Sequence, residues 1–437
     1  MRRGHKVLAA GLGALLLAAV ALALVLLLNR LGEAPLPTHE VAVPATPEVI
    51  ARGAYLARVG NCAGCHTAPG GEPYAGGRGI DTPFGTVYAP NLTPHEATGL
   101  GSWTAAHFWR AMHNGRSRDG RLLYPAFPYL NYTHVTREDV DAIFAYLRSL
   151  PAVDRATPPH ALRFPFDTQA ALAVWRALFF RPGGPPQPAP AQAVSAPLDR
   201  GAYLVQGLGH CAACHTPRNA WGAPRAGAAL GGGMIPLQGW YAPALDVAQE
   251  AGVADWPLDE VVELLRTGTT PRAGASGPMA AVVFQSLQHW SEADLRATAQ
   301  YLQALPQRAA PPVRTEAAAA AEMELGGKLY EQHCAQCHGA RGEGGEGGAF
   351  PPLAGNRAVL LREPTNLVRV VLQGGYLPAT AGNPRPHGMP PFTQVLTDRE
   401  IAAVLSFIRS SWGNQAGKVD TITVHRARER RGSWGRQ

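Results

Sequence analysis

The chain opens on an unbroken apolar stretch: Val7 to Leu28 are 22 apolar or glycine positions without a charge. At 1.5 Å per residue, a helix of that length crosses a bilayer core of roughly 30 Å. Further along, the pattern changes to that of amphipathic helices. Asp139 to Leu150, Asp294 to Leu305 and Glu400 to Ser411 each open on an acid and repeat apolar residues at i, i+3, i+4 and i+7. Each carries an aromatic seven residues after the acid, at Tyr146, Tyr301 and Phe407. Pro151 and Pro306 stop the first two helices.

A second short helical segment with glycine and an aromatic lies well upstream of each of these. They are Gly53-Ala-Tyr55-Leu56, Gly201-Ala-Tyr203-Leu204 and Gly326-Gly-Lys-Leu329-Tyr330. The first two repeats agree closely. Tyr88-Ala89-Pro90 matches Tyr241-Ala242-Pro243, Trp103 and Trp256 follow those prolines by 13, and Gly115 and Gly268 follow the tryptophans by 12. Equal spacings in two segments predict one fold used twice, with a more distant third copy. The proline-rich run Pro182 to Pro197 reads as a semi-extended spacer. Before it, the apolar run from Leu162 to Phe180 is either a packed linker helix or a docking surface for a partner or membrane. The expected boundaries are an anchor over 1–32, domains over 47–152, 196–306 and 322–416, linkers over 153–195 and 307–321, and a basic tail over 417–437.

Composition narrows the class. At 437 residues the chain has room for about three domains. Only 16% of residues are charged, and 49 Gly and 39 Pro suit small, loop-rich domains. The net charge of +7 sits at the two ends, leaving the body close to neutral, so nothing predicts the basic stripe of a nucleic-acid binder. Arg2, Arg3 and Lys6 precede the apolar run and predict a cytoplasmic N-terminus with the rest exported to the periplasm, at the inner membrane. A cleaved signal is the rival, but the apolar core is long and no tidy cleavage site follows before Arg30.

The six cysteines all fall in three C-x-x-C-H motifs: Cys62, Cys65 and His66; Cys211, Cys214 and His215; Cys334, Cys337 and His338. This is the c-type haem attachment pattern, in which two thiols form thioethers and the adjacent imidazole ligates iron. A redox C-x-x-C needs no trailing histidine, and a zinc site would need further ligand pairs. Three covalent haem c groups are therefore expected. Gly342-Glu-Gly344-Gly-Glu-Gly347 formally fits a nucleotide-binding pattern, but it follows a haem motif and not a strand, so it reads as a loop beside the third haem.

A haem that only passes electrons needs a sixth ligand that stays put, and the soft thioether of Met favours Fe(II). Met389, in His387-Gly-Met389-Pro-Pro-Phe392, and Met279, in Ser276-Gly-Pro-Met279, are presented in loops before the terminal helices. The first segment instead has Tyr124-Pro-Ala-Phe127-Pro-Tyr129, and Phe cannot ligate iron. His113 is one candidate there, with Met112 as its alternative; His134 and an open site remain. Two imidazoles would make that centre the lowest in potential; an open site would make it high-spin. No pair of carboxylates or activated nucleophile predicts catalysis by the chain itself.

With these residues in hand, residues 47–425 resemble the tri-haem cytochrome c subunits of membrane-bound alcohol and gluconate dehydrogenases. The segments that carry the resemblance are Cys62–Thr67 with Ala68-Pro-Gly-Gly71, Thr82-Pro-Phe-Gly85, Asn91-Leu-Thr-Pro94, Leu123-Tyr-Pro-Ala126, Ser286-Leu287 leading to Tyr301-Leu302, and Ser411-Trp-Gly-Asn414. The resemblance implies an all-α fold of three tandem class I cytochrome c domains behind an N-terminal transmembrane helix. It also implies electron transfer from a catalytic dehydrogenase subunit of PQQ, flavin or molybdenum type to quinone or a downstream cytochrome or oxidase. The family usually has Met where this chain has Phe127. Two other readings stay open: a peroxidase-like haem enzyme using the first iron, and a cytochrome subunit of a terminal oxidase.

Overall fold

The computed structural model describes residues 2–37, 43–184, 196–309, 316–345 and 350–429. Most of the proline-rich spacer, Gly347 of the glycine-rich loop, and Arg430, Arg431 and Arg436 of the tail lie outside these residues. The chain is mostly helical and divides into two compact units, Met1–Leu56 with Cys65–Pro185 and Ala220–Ala223, and Ala57–Gly64 with Pro186–Asn219 and Pro224–Gln437.

The first unit begins with α1 (Arg2–Leu28). Its His5–Leu28 stretch is exposed and is long and apolar enough to cross a membrane. Next come α2 (Pro47–Val59) and α3 (Cys62–His66), whose junction belongs to the second unit. A three-stranded antiparallel sheet, β1 (Gly79–Thr82), β2 (Gly85–Tyr88) and β3 (Ala161–Leu162), lies beside α4 (Ala105–Asn114), α5 (Tyr129–Tyr132), α6 (Arg137–Ser149) and α7 (Gln169–Phe179) in the chain. Short antiparallel ribbons thus accompany the helices expected from sequence. In β1 and β2, Gly79 pairs with Tyr88 and Thr82 with Gly85.

Helix α7 resolves the apolar run before the spacer. It buries Leu172, Arg176 and Ala177 and leaves Val174 and Leu178 exposed. The buried side meets the end of α1. Asn29 donates to the carbonyl of Ala173 (2.8 Å) and accepts from Arg176 Nε (3.0 Å), while Arg176 Nη1 donates to the carbonyl of Asn114 (2.6 Å).

The second unit contains α8 (Ala196–Ala202), α9 (Ala212–His215), α10 (Leu258–Thr267), α11 (Pro278–Gln285) and α12 (Glu292–Gln303). The ribbons β4 (Gly233–Ile235) with β5 (Trp240–Ala242), and β6 (Thr269–Thr270) with β7 (Ala273–Gly274), connect them. Then follow α13 (Ala320–His333), α14 (Ala335–His338), α15 (Arg357–Leu360), α16 (Thr365–Gln373), the ribbon β8 (Gly375–Tyr376) with β9 (Gly388–Met389), α17 (Asp398–Ser410) and α18 (Thr421–Glu429).

One helix crossing recurs three times. A Cβ at Gly53 would strike the Ala142 carbonyl and lie 2.9 Å from the Cβ of Tyr146. Gly201 faces Ala297 and Tyr301 in the same way, and Gly326 faces Ala403 and Phe407. Glycine lets the two backbones touch, and the aromatic at the tenth position of the second helix packs alongside. The acids seen in the sequence sit at the third position of their helices, which begin two residues earlier than expected. Thr136, Ser291 and Thr397 cap them, each accepting from the backbone N–H of the acid. In the first two crossings the acid is buried and paired. Asp139 accepts from Arg52 Nε (3.0 Å), and Asp294 from Arg200 Nε and Nη2 (both 2.8 Å).

The helix that leads into the second motif has one more residue between its glycine and cysteine than the first: Gly201 to Cys211 against Gly53 to Cys62. The extra residue is absorbed by a π-helical turn over Tyr203–Leu208. In both, the residue before the cysteine takes a left-handed conformation, Asn61 at φ 49° and His210 at φ 40°.

Candidate haem-attachment sites

Each C-x-x-C-H motif occupies a single helical turn, which sets both thiols and the imidazole on one short element. None of the six cysteines is in a disulfide; Cys62, Cys211 and Cys334 are half-buried, and Cys65, Cys214 and Cys337 are exposed. Burial pushes Cys211 up to about 12 and Cys334 up to about 11. Among the described residues, no group of three Cys, His, Asp or Glu side chains converges to hold an ion. Paired thiols beside one imidazole fit an iron that arrives within its own macrocycle.

The histidines share one geometry. Nδ1 of His66 lies 2.8 Å from the carbonyl oxygen of Pro90, Nδ1 of His215 lies 2.7 Å from that of Pro243, and Nδ1 of His338 lies 2.9 Å from that of Pro351. A carbonyl can only accept, so Nδ1 carries the proton and the lone pair is on Nε2. Burial lowers the pKa of all three rings against the raising effect of that hydrogen bond, which keeps them neutral. A neutral imidazole with Nε2 free to donate is what an iron needs.

The loops bearing these carbonyls are tied down separately. Tyr88 donates its N–H to Nδ1 of His160 (3.1 Å). Tyr241 donates its hydroxyl to Glu250 (2.8 Å), which also accepts from Ala244 N–H (2.7 Å). Near the third motif, Asn414 donates to the carbonyls of Leu353 (3.1 Å) and Ile408 (2.8 Å) and accepts from Gly355 N–H (2.8 Å). None of these links was read from the sequence. They join residues 6 to 72 positions apart, and no local pattern announces them.

The candidate sixth ligands take different settings. Met389 is in β9, paired with Gly375, and packs on the same core as Cys334. Met279 is not in a loop: it is the second residue of α11, because Pro278 is preset for a first helical turn and Gly277 at φ 54° caps it. The exposed Met234 lies on β4.

The expectation for His113 meets a conflict. Its Nε2 lies 2.8 Å from the carbonyl of Gly183, and its ring stacks on Trp109 at 4.6 Å. A ring nitrogen that donates to a carbonyl has no lone pair for iron, and Nδ1 faces Asn114 Oδ1 at 3.3 Å. His134 is likewise engaged, through Nδ1 and the carbonyl of Gly184 (2.6 Å). Met112 lies on the buried face of α4 with Phe108 and Ala111. Phe127 packs against Tyr129 and Tyr132.

Comparison with known proteins decides the family. The cytochrome c family profile matches residues 50–151 and 323–412. The cytochrome c subunit of the quinone-dependent alcohol dehydrogenase of Gluconobacter oxydans (strain 621H) is 37% identical over 408 residues, spanning 89% of this chain and 84% of the relative. The chain belongs to the cytochrome c subunits of dehydrogenases. Within that family, the gluconate 2-dehydrogenase cytochrome c subunit of Pantoea cypripedii is 37% identical over 405 residues, 87% of this chain and 89% of its own length. The fructose dehydrogenase cytochrome subunit of Gluconobacter japonicus is 34% identical over 439 residues, covering 94% and 89%. Membership makes the chain a haem-carrying subunit whose work is electron transfer.

Proposed function

We propose that the chain is a periplasmic relay of three tandem class I cytochrome c domains, over 47–152, 196–306 and 322–416, each with one covalent haem c. It takes electrons from a catalytic dehydrogenase subunit of PQQ, flavin or molybdenum type. It delivers them to membrane quinone or a downstream cytochrome or oxidase, held at the membrane by α1. The observation that carries this reading is the repeated histidine geometry: three rings, each with Nδ1 committed to a proline carbonyl and Nε2 left for iron.

Bound haem supplies one-electron Fe(III)/Fe(II) chemistry. The chain's part is to hold, orient and exclude. Cys62 and Cys65, Cys211 and Cys214, and Cys334 and Cys337 would anchor the three groups. His66, His215 and His338 would ligate the irons, and Met279 and Met389 would be the second protein ligands in the second and third domains. In the first domain Met112, buried on α4, would serve in preference to His113, whose Nε2 is engaged with the Gly183 carbonyl.

The test uses the full chain purified from membranes. Rapid reduction of all its haems by the partner dehydrogenase and reoxidation by a quinone analogue is expected, with negligible hydrogen peroxide turnover. Fast peroxide turnover by the isolated chain, or no reduction by the partner, would sink the relay.

A further inference from the structure

The loop that orients His215 is held by one face of α16, an element that lies beyond the third motif in sequence. Asn366 meets Tyr241 as a neighbouring strand would. Its Oδ1 accepts from Tyr241 N–H (2.8 Å), and its Nδ2 donates to the Tyr241 carbonyl (2.7 Å). Two residues on, the carbonyl of Pro243 accepts a hydrogen bond from His215 Nδ1. Three positions along α16, and so on the same face, Arg369 is 1% exposed. Its guanidinium stands 5.1 Å from the centre of the Trp240 ring. The same indole lies against Gly277, where an added Cβ would come within 2.6 Å of it. Gly277 caps the helix whose second residue is Met279. One face of α16 therefore holds the segment whose Pro243 carbonyl orients the histidine and, through Trp240, bears on the turn that offers the methionine.

We propose that Asn366 and Arg369 are positioning residues for the second haem. Asn366 fixes the loop that sets His215. Arg369, through Trp240, fixes the turn that sets Met279, and it adds a buried positive charge beside that loop. The inference rests on reading Cys211, Cys214, His215 and Met279 as a haem site. A buried cation favours the less positive, reduced iron, so its removal makes this one centre harder to reduce. A residue that served only to pack the unit would alter stability and leave the centre's potential alone.

The experiment is a potentiometric titration with electron paramagnetic resonance on the full haem-loaded chain. The step belonging to the second haem is identified by its shift in a Met279→His variant. Arg369→Gln is expected to lower the reduction equilibrium constant of that step about tenfold, or about 59 mV. Asn366→Ala is expected to alter the g values of the same centre. Neither should move the other two. Arg369→Lys keeps the charge and loses the planar stack, so the potential holds while the resonance signal of the second centre changes; this variant carries the test if Arg369→Gln does not accumulate. Variants that keep three haems and leave the second centre unmoved, or shift all three alike, overturn the proposal. A native chain with no haem on Cys211 and Cys214 in peptide mass analysis overturns the underlying reading instead, a separate and recognisable result.

Discussion

A Cβ placed on Gly201 would lie 2.5 Å from the Cβ of Tyr301, so the two helices that enclose the second motif meet backbone to backbone. Replacing Gly201 with Val forces a branched side chain into that contact. Overpacking of this kind costs about 1–3 kcal/mol. Denaturant unfolding followed at the Soret band should show that loss for Gly201→Val. Gly375→Ala should cost little, because nothing stands within 4 Å of a Cβ there.

His160 gives the first domain a predicted pH dependence. Nδ1 must be unprotonated to accept from Tyr88 N–H, and burial, aided by Arg121, lowers the ring's pKa below its ordinary 6.5. A histidine depressed in the folded state binds more protons when unfolded. Its contribution is therefore complete above the unfolded pKa and is lost as pH falls toward the folded value. Unfolding midpoints measured from about pH 7 down to pH 5 should fall less steeply in His160→Gln than in the native chain. Equal slopes would remove His160 from the account.

The first haem separates Met112 from His113. Electron paramagnetic resonance of the oxidised chain should show a low-spin centre that turns high-spin in Met112→Leu and survives His113→Ala. A bis-imidazole signal abolished by His113→Ala would restore the histidine, and with it a low potential for that centre.

The junction at Asn29 predicts where the anchor can be cut. Replacing residues 1–28 with a cleavable export signal should give soluble, haem-loaded protein that keeps the Asn29–Arg176 hydrogen bond. Cutting through Leu31 removes Asn29 and should cost a further 1–3 kcal/mol or so, because Arg176 stays buried without that partner. If the first protein still pellets with membranes, the exposed Val174 and Leu178 of α7 or a partner subunit is the real attachment.

The local parts of this molecule were legible from the chain. C-x-x-C-H announces its own chemistry, and the glycine and aromatic of each crossing stand at fixed places in short periodic segments. Helix starts were displaced by two residues because Thr136, Ser291 and Thr397 cap them, and the caps went unread although each precedes its acid by three. Gly277-Pro278 is a helix start in its own right, which puts Met279 on α11 where the glycine and proline suggest a loop. The pairs Arg52–Asp139 and Tyr241–Asn366 span 87 and 125 residues, so only the folded chain brings them together. His113 was an inference from its proximity to an empty station, and the carbonyl of Gly183, 70 residues away, competes for its ring.

The claim at the centre is that three histidines with Nδ1 on a proline carbonyl mean three ligated irons. Intact mass of the denatured full chain, after acid–acetone extraction, tests it most directly. The account predicts a polypeptide carrying three haems that resist extraction, with one on each cysteine pair by peptide mapping. A chain with two haems, or haem that extracts, would contradict it.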